Sequence, residues 1–138
     1  MSQFSGIIRA TRQAVLDHLL KTSTWTAPTN VYVALFTVAP TEVGGGTECT
    51  GSAYARVKHN NWVAATAASP SVAVNDGDIT FPEAGGSWGA IVAFGLFNQD
   101  SPGGTLLAVG KCSKTISSGD TAIFLDGTLE VTLDGTVS

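Results

Sequence analysis

Ile123-Phe124-Leu125-Asp126-Gly127-Thr128-Leu129-Glu130-Val131-Thr132-Leu133 decides the fold class of this chain. Ile123, Leu125, Leu129, Val131 and Leu133 keep the period of two that marks a half-buried strand, on either side of Asp126-Gly127. An Asp-Gly pair between apolar-rich runs is the strongest short-range hairpin signal, because a type I′ turn needs positive φ at both central residues. The runs 120–125 and 128–133 are therefore expected to pair as a hairpin, with Glu130 and Thr132 facing solvent or a partner.

The same texture extends back to Val31. Short segments rich in Val, Ile, Thr and aromatics alternate with Gly, Pro, Asn and Asp, and predict further strands at 31–38, 54–58, 62–66, 72–74, 78–81, 89–98 and 105–112. So many short strands do not fit one flat sheet in a small domain; two sheets packed face to face, a jelly-roll-like β-sandwich, are the economical solution. Loops 41–52 and 98–104 are the stretches expected to be most flexible.

Before Val31 the period changes. Phe4, Ile7, Ile8, Thr11, Val15 and Leu19 recur at helical spacing while Arg9, Gln13 and Asp17 fall elsewhere, predicting one N-terminal amphipathic helix over 5–21, capped by Ser5. The expected organisation is a single mainly β domain over 1–138, with the helix in 1–24 packed on a sandwich spanning 31–138.

Composition narrows the function classes. The 138 residues are 43% apolar and 13% charged, which suits a folded domain and not a disordered arm. Seven Lys and Arg against eleven Asp and Glu give a net charge of −4, so a nucleic-acid partner is not expected. Arg9, Arg12, Asp17 and His18 interrupt the apolar positions near the amino terminus, unlike a secretion signal. Ile91–Phe97, the longest strongly apolar run, is far short of the roughly 20 residues of a spanning helix, and no membrane partner is expected.

Several fragments imitate catalytic motifs. Gly85-Gly86-Ser87-Trp88-Gly89 matches G-x-S-x-G, but a predicted strand follows it and His18 and His59 both precede the serine. Gly104 to Lys111 has the wrong glycine spacing for a phosphate loop, and Cys112 stands where Ser or Thr belongs. Asp76-Gly77-Asp78 lacks the remaining ligands of a calcium loop and reads as a turn. Cys49 and Cys112 lie far apart and outside any metal-binding spacing. No catalytic residue, metal ligand or cofactor is assigned. Trp25, Trp62, Trp88, Tyr32 and Tyr54 could stack on sugar rings as a carbohydrate-binding module, against which stands their ordinary use in cores and interfaces.

In order along the chain, Val31-Tyr32-Val33-Ala34-Leu35-Phe36-Thr37, Tyr54-Ala55-Arg56, Ile79-Thr80-Phe81-Pro82-Glu83-Ala84, Trp88-Gly89, Phe94-Gly95-Leu96-Phe97, Gly119-Asp120 and Leu129-Glu130-Val131-Thr132-Leu133 resemble a family of small tailed-bacteriophage structural proteins, frequently labelled tail fibre proteins. The resemblance covers nearly the whole chain. It implies a non-enzymatic virion component, assembled in the reducing host cytoplasm, where Cys49 and Cys112 would stay unbridged.

A fibre shaft needs repeats or heptads, which this chain lacks. A capsid decoration or cement protein on the head surface is therefore the expected role; a tail fibre or small tail component for host attachment is the alternative. The expected partner is the major capsid protein or another virion protein, and the expected state a homo-oligomer, a dimer or trimer. Arg9, Arg12, Arg56 and Lys58 are the candidate partner contacts, because an acidic molecule gains orientation from its few cations.

Overall fold

Tyr32–Val38 (β2) buries both of its faces: Val33 and Leu35 enter one core, Ala34 and Phe36 a second. A strand with this pattern has to lie inside a sheet covered on both sides. The computed structural model, which describes residues 3–68, 70–100 and 103–133, puts it there. Around β2 are Gly6–Ile7 (β1), Thr47–Glu48 (β3), Val57–Lys58 (β4), Gly89–Phe97 (β7) and Leu106–Ile116 (β8). They form an antiparallel sheet in the order β1-β8-β7-β2-β3, with β4 also on β2.

Along β7 the inward positions step from Ile91 to Phe94 and then to Leu96, because a β-bulge shifts the register with β8 between Ile91 and Ala93. The ring of Phe94 lies across its partner Gly110: a Cβ there would come within 2.1 Å of the ring atoms, so the close approach requires glycine.

The second layer is a kinked ribbon. Ser71–Val74 (β5) pairs with Glu130–Leu133 (β10), and Ile79–Glu83 (β6) pairs with Thr121–Phe124 (β9). The pairs Val74 with Glu130 and Ile79 with Phe124 are one residue out of a common register, so the two short sheets are the halves of one antiparallel ribbon broken at a corner. Ile79, Phe81, Ala122, Phe124 and Leu129 from this ribbon pack with Val33, Leu35, Phe94, Leu96 and Ile116 of the large sheet. Two layers around a shared core make the mainly β, sandwich-like fold expected from the sequence.

The predicted hairpin is corrected here. The runs on either side of Asp126-Gly127 are consecutive segments of one ribbon arm; each pairs with a different strand and not with the other. Only Gly127 of the two turn residues has positive φ, at 78°, so the turn is not type I′. Asn75, wholly buried at the corner, supplies what the hairpin would have supplied. Its Oδ1 accepts the Leu129 N–H at 2.9 Å, and its Nδ2 donates to the carbonyls of Gly77 and Leu125. The facing turns add a reciprocal pair: Gly77 N–H donates to Asp126 Oδ1, and Asp126 N–H to Asp78 Oδ1. Asp76-Gly77-Asp78 is turn chemistry, as expected.

The amino terminus also differs from the reading. Gly6–Ile7 is a strand on β8, and the helix α1 runs only over Arg9–Leu19, with Ile8 at its N-cap and no side-chain cap from Ser5. The backbone N–H of Ile8 donates to the Leu107 carbonyl, which holds the chain in the sheet one residue longer. Within α1 only Thr11 is buried; Leu19, expected to face the core, is 69% exposed. Segment 62–66 is no regular strand, although Val63 and Thr66 donate to carbonyls of β5. Among the described residues no helix is long and apolar enough to cross a membrane.

Candidate functional site

The four cations singled out in the sequence do not form one patch. Arg9 and Arg12, at the start of α1, both bind the carboxylate of Glu42 in the loop leaving β2; Arg12 does so at 2.6 Å. A backbone bond from Arg9 N–H to the Glu42 carbonyl fixes the same contact. The two guanidiniums, Arg12 first, hold the Glu42 carboxyl below its ordinary pKa, yet all three side chains remain exposed to solvent. Lys58 lies beside Tyr32, at the opposite end of β2, about 20 Å away for a strand of this length. It is exposed on a two-residue edge strand, where lysine ordinarily serves to discourage pairing with other chains.

Arg56, the third of the candidate partner contacts, is turned inward. Its side chain is 4% exposed, and it forks onto Glu48, with Nε to Oε2 at 2.9 Å and Nη2 to Oε1 at 2.7 Å. Nη1 donates to the carbonyls of Gln99 and Gly103, and the guanidinium lies 3.7 Å from the centre of the Phe97 ring. The Tyr54 hydroxyl completes the cluster: it donates to Glu48 Oε2 at 2.7 Å and accepts the Leu35 N–H at 3.0 Å.

Burial works against the Glu48 charge, but the bonds from Arg56 and Tyr54 outweigh it and leave its carboxyl below the ordinary value. Burial first, and donation to Glu48 second, push the Tyr54 hydroxyl far above its usual range. A bidentate pair backed by a phenol and two carbonyls ties β3, β4 and the 98–104 loop to β2. It is a positioning cluster, with every charged group committed inside the fold. Part of that loop, residues 101 and 102, lies outside the described residues.

The remaining candidates fall into place singly. Ser87 leads directly into β7, and its hydroxyl approaches the Ile116 carbonyl at 3.5 Å. Trp88 is buried, donating to the Ser52 carbonyl and meeting Tyr54 edge-on at 5.4 Å, and with Tyr54 and Trp62 packed on the same core three of the five aromatics face inward. Trp62 is half-buried, with its indole N–H on the His59 carbonyl. Cys49 and Cys112 are free thiols. Burial raises both, Cys112 to about 11.

Glu42, Glu48 and Asn75 were missed by reasoning from sequence. Glu42 is met by arginines some thirty residues earlier, Glu48 by Tyr54 and Arg56 just beyond its own strand, and Asn75 by Leu125 and Leu129 some fifty residues on, and none of these pairings follows from a sequence motif. No curated protein matches the chain. The family model described as Podophage GP4 fiber I protein gp80 matches residues 6–132, from the first strand into the last, and the chain belongs to that family.

Proposed function

We propose that this protein is a non-enzymatic component of a phage tail fibre, carried in the virion as a compact β module and not as the shaft. The family match over residues 6–132 carries this reading and moves it away from the head-decoration role expected from compactness alone. Compactness is compatible with a fibre when the domain caps or joins longer elements, since length then comes from other chains. A structural role also suits the committed state of the charged residues: Arg56, Glu48 and Tyr54 saturate one another, and Ser87 stands at the entrance to a strand without the strand-to-helix elbow of a hydrolase.

Position and copy number in the particle test the proposal. Gold-labelled antibody to this chain, together with quantitative electrophoresis of purified virions, should place a small number of copies on the tail. Hundreds of copies spread over the head would overturn the fibre reading and restore decoration.

A further inference from the structure

Ser117 to Asp120 form a tight turn between β8 and β9, closed by the Asp120 N–H on the Ser117 carbonyl, from which β8 runs in the large sheet and β9 in the ribbon. They do not pair. β8 uses one edge on β7 and meets β1 only at Ala108 and Val109, whereas β9 pairs with β6. Among the described residues, no strand takes the other edge of Lys111–Ile116 or of β9. Unpaired strand edges are templates for an added strand.

The space between these edges is a groove. Two cavities of about 350 and 310 Å³ share Lys114 and Ile123 as lining and so run on from one another along the strands. The six residues of β8 that line it span about 20 Å, the length of an ordinary strand. Ile123 and Leu125, both exposed, give the groove its apolar surface, while Ile116, Ala122, Phe124 and Leu129 behind them are buried in the main core.

The charge of the groove is opposite to that of the molecule. Lys111 is exposed on the β8 wall, and Lys114 reaches across with its ammonium 4.9 Å from the centre of the Phe124 ring. Neither lysine is in an ion pair among the described residues, whereas Arg9, Arg12 and Arg56 each are. Asp120, at one end, is already engaged by the Ser117 N–H.

From these edges, dimensions and charges we infer that the β8–β9 groove is a strand-acceptor site for an extended segment of about six residues from another protein, with apolar side chains alternating with carboxylates. Main-chain bonds to an open edge hold the segment, its apolar side chains cover Ile123 and Leu125, and its carboxylates meet Lys111 and Lys114. The inference rests on the groove alone and is independent of where the protein sits in the particle.

The test uses the intact protein and a fluorescein-labelled six-residue peptide alternating valine and glutamate, followed by fluorescence anisotropy at low salt. The expected result is saturable binding below about 1 mM. Binding should weaken at least tenfold when alternate peptide nitrogens are N-methylated, when lysine replaces glutamate in the peptide, and in the K111E/K114E double variant. The N-methylated peptide decides the matter on the native chain should the double variant fail to fold. Absent binding, or binding indifferent to N-methylation or to peptide charge, would overturn the inference. Sedimentation showing a dimer of this chain that K111E/K114E dissociates would overturn it in favour of a second copy as occupant.

Discussion

Asn75 Oδ1 accepts the backbone N–H of Leu129 at 2.9 Å across 54 positions of sequence. Asn75 N–H donates in turn to the Leu129 carbonyl, and the Asn75 carbonyl accepts Gly127 N–H. One buried amide therefore replaces the ladder where the ribbon bends, satisfying groups that the kink would otherwise strand without water. Asn75→Ala is expected to destabilise the protein by about 2–4 kcal/mol, because several polar groups lose partners together. Asn75→Asp retains the acceptor for Leu129 but loses the donor to Gly77 and Leu125, and should also lower the midpoint of urea unfolding. A midpoint unchanged in both variants would show that the corner does not depend on this side chain.

The Arg56–Glu48 pair is expected to behave as an interior contact. Glu48→Ala leaves a 4% exposed guanidinium without its counter-charge. A cost of about 2–4 kcal/mol is expected, after discounting for the partial exposure of the carboxylate. Glu42→Gln, at a carboxylate in open solvent, should leave the melting temperature within experimental scatter.

Acid should expose the same pair. The folded Glu48 carboxyl lies below its ordinary value, so its contribution to stability is fully present above the unfolded glutamate pKa of about 4.3 and is lost as pH falls through the lower folded value. The stability gap between the native protein and Glu48→Gln should accordingly narrow when urea titrations are repeated from pH 6 down to about pH 3. A gap that stays constant over that range would show that Glu48 does not titrate with folding.

Tyr54 sets the alkaline side with the opposite sign. Its folded pKa is raised, so the protonated hydroxyl contributes stability that is full below the unfolded tyrosine value of about 10 and is lost as pH climbs beyond it. Tyr54→Phe should cost about 1–3 kcal/mol at neutral pH, through the orphaned Leu35 N–H and the lost bond to Glu48, and should flatten the decline above pH 10. An undiminished alkaline decline in the variant would assign it to other groups.

Gly110 is expected to tolerate no side chain. Gly110→Ala drives a methyl into the Phe94 ring and should cost about 1–3 kcal/mol. Combining it with Phe94→Leu should recover part of that loss, with a coupling of more than about 0.5 kcal/mol in a double-mutant cycle. Additive losses would mean that the ring does not press on this position.

What the sequence by itself determined is local. The continuous apolar run Val31–Phe36, the period of two in the closing segment, the punctuation by Gly, Pro, Asn and Asp, and the helical spacing that starts at Phe4 specify a mainly β chain with one leading helix, because periodicity and turn chemistry act between neighbours. The family was legible too, in the order of its short motifs. Pairing was not. Asp126-Gly127 would close a hairpin in isolation, but Asn75 and Asp78, some fifty residues earlier, bind the turn's backbone and send its two flanks to different strands. Arg56 read as a partner contact because it is one of the few cations of an acidic chain; its burial follows from Glu48 on one strand, Tyr54 beside it and the carbonyls of a loop more than forty residues on. Such partners are set by where a whole sheet closes, and a buried charge or amide acquires its energy only when segments far apart in the chain desolvate it and satisfy it at once.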